Sequence, residues 1–184
     1  MDIFNLEKLL EQPTIWDSLL INRRKPETVR LFTQVGDRRI CLHRFSAAEE
    51  SEVVWHPHPW PATFLILDGG YELFLATSKD RKSPPDESTL TRRYVGPGDN
   101  YEMLSPLDWH KIVPTQTTYT VMINGPEWRD DLMHKDVRRT SGKGLEKMDR
   151  FDVISLLIRF KELWQRVTQS VPEWCNMYDL GVLK

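Results

Sequence analysis

The spacing of apolar residues changes twice along the chain. Leu6, Leu9 and Leu10 recur at helical spacing and Pro13 ends the run, so residues 1–27 read as a helical N-terminal segment, with a second short turn near Ile15–Leu20. From Thr28 the runs become short, β-branched or aromatic. Thr28–Val35 and Arg39–Phe45 flank Gly36-Asp37, a hairpin signal. Glu52–His56, Ala62–Leu67, Tyr71–Thr77, Leu90–Val95, Tyr101–Leu104, Trp109–Val113 and Thr118–Asn124 follow at fairly even intervals. Turn chemistry separates them: Gly69-Gly70, the charged Lys79–Ser88 with Pro84-Pro85, Gly96-Pro97-Gly98-Asp99, and Ser105–Asp108. About nine short strands without intervening helices predict an all-β sandwich or barrel over residues 28–125.

Residues 126–150 turn polar and charged around Gly142-Lys143-Gly144, which reads as a solvated connection or, alternatively, a lid. Residues 151–184 form a C-terminal helical extension. Within it, Val153, Leu157, Phe160, Trp164 and Val167 fall on one amphipathic stripe that packs on the sandwich or on a dimer mate.

Composition narrows the function classes. The 184 residues are 40% hydrophobic and 28% charged, enough to bury a core, and a net charge of −2 gives no electrostatic case for nucleic acid or an anionic membrane. The start, Met1-Asp2-Ile3-Phe4-Asn5, lacks the basic and apolar stretches of a signal peptide, and no apolar run approaches bilayer length. Cys41 and Cys175 lack CxxC spacing, so both thiols are expected free in a reducing cytoplasm. Of seven tryptophans, Trp55, Trp60 and Trp109 each lie within two residues of a histidine, as core fillers or as pocket walls.

The chemistry concentrates in Trp55-His56-Pro57-His58-Pro59-Trp60-Pro61. Alternate residues of an extended chain share a face, which puts His56 and His58 about 6.5–7 Å apart and able to lean toward one ion. The prolines confine the stretch to a sheet edge and hold it extended, although the pattern also suits a surface Pro-rich turn. His110, following a turn at Pro106-Leu107-Asp108, is the candidate third ligand. Five histidines are present; His43 reads as an ordinary strand residue and His134 belongs to the charged connection.

These residues resemble a known family. The stretch from His56-Pro-His58 through the apolar strand to Gly69-Gly70 resembles the first cupin motif, and Gly98-Asp99 through His110 resembles the second. The resemblance implies a double-stranded β-helix, or jelly roll, with one divalent metal ion in the barrel on His56, His58 and His110. Three positions depart from the pattern. Ala62 and Thr63 stand where the family has its glutamate, Asp108 where it has a glycine (with one residue fewer before the histidine), and Ser51 where another glycine is usual.

Three neutral imidazoles without a carboxylate leave a divalent ion its full charge, which favours an anionic substrate. They also resemble the thiol dioxygenase branch of the cupins, which implies Fe(II), with zinc or nickel also suited to imidazole. Glu102 is the candidate replacement ligand or base, or else an exposed strand residue. Tyr71, Tyr101 and Tyr119 are candidate donors to a bound anion, or core packing. Trp60, Phe64 and Trp109 are expected pocket walls. Of the adjacent Arg92 and Arg93 at most one faces inward, and Arg92 is assigned to the pocket. Two readings stand: a dioxygenase acting on a small, thiol or anionic substrate, and a non-catalytic small-molecule-binding or regulatory cupin. Sheet edges and terminal helices further imply a homodimer.

Overall fold

The structure is a computed structural model describing residues 5–22, 24–80, 82–85, 87–128 and 145–171. His134, Cys175 and the Gly142–Gly144 point lie outside the described residues. A short helix α1 (Leu6–Leu10) is followed by strands β1 (Asp17–Ile21), β2 (Thr28–Val35), β3 (Arg38–Phe45), β4 (His56–Pro57), β5 (Ala62–Asp68) and β6 (Tyr71–Thr77). Then come β7 (Thr91–Val95), β8 (Asn100–Met103), β9 (Asp108–Pro114), β10 (Thr118–Asn124), β11 (Leu145–Glu146) and helix α2 (Arg150–Ser170).

All pairings are antiparallel, in two sheets ordered β11-β1-β2-β3-β10-β5-β8 and β4-β9-β6-β7. Counted from β3 to β10, the first, eighth, third and sixth strands share the large sheet, and the second, seventh, fourth and fifth make the small one. That alternation is the double Greek key of a jelly roll. The fold is therefore the expected one, with a short N-terminal helix and a C-terminal amphipathic helix.

Two local expectations are corrected. Asp17–Ile21, expected in a helical segment, is the strand β1, paired with β2 from Asp17↔Phe32 to Ile21↔Thr28. Its alternate residues Leu19 and Ile21 pack with Leu145 of β11, a burial available only once distant chain segments meet. The run Glu52–His56 shrinks to a two-residue strand, because Glu50–Glu52 forms a 3-10 turn closed by a reciprocal Glu49–Glu52 capping box.

Two cores result. Inside the barrel, Phe64, Ile66, Tyr71, Leu73, Val95 and Ile112 meet between the sheets. On the outer face of the large sheet, Leu31, Leu42, Leu65, Leu67 and Val121 are covered by Val153, Leu156, Leu157, Phe160, Leu163, Trp164 and Val167 of α2, with Leu6 and Leu10 of α1 beside them. The α2 stripe thus packs on its own sandwich. Asp149 caps the helix, its carboxylate accepting from the Phe151 and Asp152 amides. Among the described residues no helix is long and apolar enough to cross a membrane.

The β5–β6 turn depends on Gly69. Its φ is +77°, and a Cβ there would lie 2.4 Å from the Thr117 carbonyl oxygen, which is backbone and cannot swing away. Gly69→Ala is expected to cost about 2 kcal/mol, read as a lowered urea midpoint, since left-handed strain alone contributes about 1–2 kcal/mol. An unchanged midpoint would show that the turn relaxes freely.

Candidate metal centre

The two prolines of the His-Pro-His segment leave β4 as a two-residue edge strand, docked only on β9, where His56 pairs with His110 and Pro57 with Trp109. This register puts His56 and His110 side by side on the inner face, and His58 completes the group. His110 Nε2 lies 2.8 Å from His56 Nε2 and 3.0 Å from His58 Nε2, and the ligand atoms of all three lie within 4.8 Å of one another. Ligand nitrogens about 2.1 Å from one ion and at right angles sit about 3.0 Å apart, which the two short separations match.

The outer nitrogens support that use. His56 Nδ1 donates to the Val54 carbonyl oxygen at 3.3 Å, an acceptor that obliges Nδ1 to carry the proton and leaves the Nε2 lone pair facing its neighbours. His110 Nδ1 lies 3.1 Å from Tyr101 Oη. His58 Nδ1 is buried and has no partner among the described residues. Burial, reinforced by the Arg24 charge, lowers His56 to a pKa of about 4. Burial and the neighbouring imidazoles hold His58 and His110 well below the usual histidine range. Three neutral rings whose Nε2 atoms converge at 2.8 and 3.0 Å, with His56 held in the tautomer that leaves its Nε2 lone pair free, fit a divalent metal ion.

The cavity in front of the histidines has a volume of about 70 Å³. Its floor is an in-register row across the large sheet: Met122 pairs with Phe64, and Phe64 with Tyr101. Phe64 and Tyr101 stack at 4.5 Å with an interplanar angle of 5°. Tyr71 donates to Tyr101 Oη at 3.1 Å, and burial pushes both phenols above their ordinary range, so both keep their protons.

Of the expected residues, the fold brings Phe64, Tyr71 and Tyr101 to this cavity with the three histidines. It places five others elsewhere. Glu102 alternates with Tyr101 on β8, points outward and accepts from Thr63 Oγ1 at 3.4 Å, so it is neither ligand nor base. Arg92 lies on the outer face of the small sheet, paired with Glu72 at 3.2 Å and over the Phe74 ring. Trp109 is buried but alternates with His110 and faces away from the cavity, and Trp60 packs into the barrel core beyond the cavity lining. Tyr119 faces α2 and meets Phe160 edge-on at 5.5 Å.

Sequence reasoning missed the basic side of the site. Arg24, Lys25 and Arg30 line the cavity, Lys25 paired with Glu27 at 3.0 Å, and no carboxylate occurs among the described lining residues. Arg30 and His43 are direct cross-strand neighbours, and Arg30 Nε donates to His43 Nε2 at 2.9 Å. His43 is thereby a buried acceptor inside the cavity, not an ordinary strand residue, and its lone pair is already used. The available signal was register: Thr28 and Arg30 alternate with Val29 and Leu31, which face α2.

No protein-family model matches the chain, and no curated protein matches it. Solved structures do. The hydroxypropylphosphonic acid epoxidase from S. wedmorenis aligns at 9% identity and a TM-score of 0.46, over 59% of this chain and 55% of its own. An FeII HppE substrate complex aligns at 10% identity and 0.48, over 61% and 58%. A conserved Streptococcus pyogenes protein of unknown function aligns at 12% and 0.39, over 56% and 78%. This chain thus spans little more than half of the epoxidase chains it matches.

Proposed function

We propose that this protein is a cupin-type metal protein that holds Fe(II) on His56, His58 and His110 and serves as a dioxygenase for a small anionic substrate bearing a thiol. The observation that carries the reading is the convergence of three neutral Nε2 atoms at 2.8 and 3.0 Å. A ferrous ion bound there would supply dioxygen activation and open positions at which substrate and dioxygen meet.

The chain's own residues set the rest. With no carboxylate among the three histidine ligands and with Arg24 and Arg30 in its lining, the cavity favours a negatively charged guest, Lys25 being paired with Glu27 at 3.0 Å. Arg30, oriented by its hydrogen bond to His43, lines the cavity in which that guest would bind. Phe45, Phe64, Ile112 and Met122 supply an apolar wall that excludes water. The second reading is a binding or regulatory cupin holding zinc or nickel. It is favoured by one feature, the lack of a carboxylate base among the described lining residues.

The test uses protein loaded anaerobically with Fe(II) and then mixed with small mercapto-carboxylates in an oxygen electrode. Uptake that requires both iron and thiol is expected. Arg30→Met should lower kcat/KM about 10- to 100-fold, the weight of a hydrogen bond to a charged group. Tightly held zinc with no uptake for any thiol would favour the binding reading instead.

A further inference from the structure

The three histidines differ in what holds their outer nitrogens. His56 is held by a backbone carbonyl, which no substitution removes, and His58 Nδ1 has no partner among the described residues. His110 alone is held by a side chain, the Tyr101 hydroxyl at 3.1 Å. That hydroxyl is itself fixed. The Tyr101 ring stacks on Phe64, its oxygen accepts from Tyr71, and Tyr71 stands edge-on to both Tyr101 and Phe45 at 6.4 Å. Both phenols are almost fully buried, at 1% exposure for Tyr71 and 4% for Tyr101.

We propose that Tyr101 is a positioning residue for His110: it accepts from Nδ1–H, fixing the tautomer that turns Nε2 toward His56 and His58, and Tyr71 in turn orients Tyr101. This rests on reading the three histidines as a metal site. It differs from the expectation that both tyrosines donate directly to a bound substrate. The physical reason is tautomeric. An imidazole that offers Nε2 to a cation must carry its proton on Nδ1, and a buried N–H without an acceptor is costly. Supplying that acceptor makes the binding-competent tautomer the ground state and raises the ring's basicity.

Tyr101→Phe removes the hydroxyl and keeps the stacked ring, so it separates positioning from packing. Titrated with Zn(II) under a competing chelator, Y101F is expected to show a dissociation constant about 10- to 100-fold higher than the wild type. The melting temperature of its apoprotein should stay close to the wild-type value, which a merely structural role would not allow. Tyr71→Phe is expected to weaken Zn(II) binding less, by about 2- to 10-fold. Y101F within twofold of the wild type, or Y71F costing more than Y101F, overturns the assignment.

Should Y101F fail to fold, 15N-histidine spectra of the zinc-loaded wild type decide. The His110 Nδ1–H signal is expected to resist solvent exchange, and exchange as fast as in free imidazole overturns the proposal. A wild type that takes up no zinc at one equivalent overturns the metal reading itself. Normal wild-type uptake with unaltered Y101F overturns the role of Tyr101 alone.

Discussion

His58→Ala is expected to leave the protein without stoichiometric metal, while His43→Gln keeps it. Both histidines line the same cavity, and burial holds both neutral, so exposure and charge do not separate them. Commitment of the lone pair does. His58 Nε2 faces His110 Nε2 at 3.0 Å, whereas His43 Nε2 already accepts from Arg30. A metal held by three imidazoles and no carboxylate has little reserve. Losing one ligand should weaken binding by more than the roughly 10- to 100-fold that follows loss of an outer hydrogen bond. Glutamine at position 43 keeps an acceptor for Arg30 and removes only the imidazole. Metal content measured after purification without chelating resin, followed by Co(II) titration, checks the pair. Equal metal in the two variants, or metal lost from His43→Gln alone, would contradict the ligand assignment. His134→Ala is expected to behave as His43→Gln does.

The parts of this site that were legible in sequence are those whose geometry is local. His56 and His58 share a face because an extended chain alternates, and the flanking prolines hold it extended. The third ligand needed more, since His110 reaches the pair only through the β4–β9 register, and here the order of the two cupin-like motifs supplied what local geometry did not. Tyr101 followed from the same alternation that excluded Glu102, but the choice between the two neighbours required knowing which face of β8 is inward.

The misses have one physical cause. Polar alternation usually marks the solvent side of an antiparallel strand, and on that rule Arg30 and His43 look external. Helix α2, however, covers the outer face of the large sheet, so the apolar residues Val29 and Leu31 point toward the helix and the polar ones toward the barrel. The tryptophans misled for a related reason. Proximity in sequence to a histidine places Trp109 next to His110 along the chain, and adjacency on a strand puts it on the opposite face. β1 was missed because it lies between β2 and β11 in the sheet, and β11 is more than a hundred residues further along the chain.

The same covering helix gives the largest stability effect. Phe160→Ala is expected to destabilise the fold by about 3–5 kcal/mol, the usual range for a fully buried phenylalanine. Phe160 is at 0% exposure, meets Tyr119 edge-on, and sits among Leu156, Leu157, Leu163 and Trp164 over the large sheet. A domain with total stability of about 5–15 kcal/mol would lose a large part of it. Ile158→Ala, on the exposed side of the same helix at 57% exposure, is the control and should stay within about 0.5 kcal/mol of the wild type. Urea denaturation followed by tryptophan fluorescence measures both. A substitution that only detached α2 would give an early step with a smaller m-value, while one cooperative transition at lower urea would mean that the helix and the barrel fold together. The second outcome is expected, because α2 buries the outer sides of β2, β3, β5 and β10, whose inner sides carry Arg30, His43, Phe64 and Met122. Equal midpoints for the Phe160 and Ile158 variants would mean that α2 does not dock on its own sheet, and the cover that turns Arg30 and His43 inward would be lost with it.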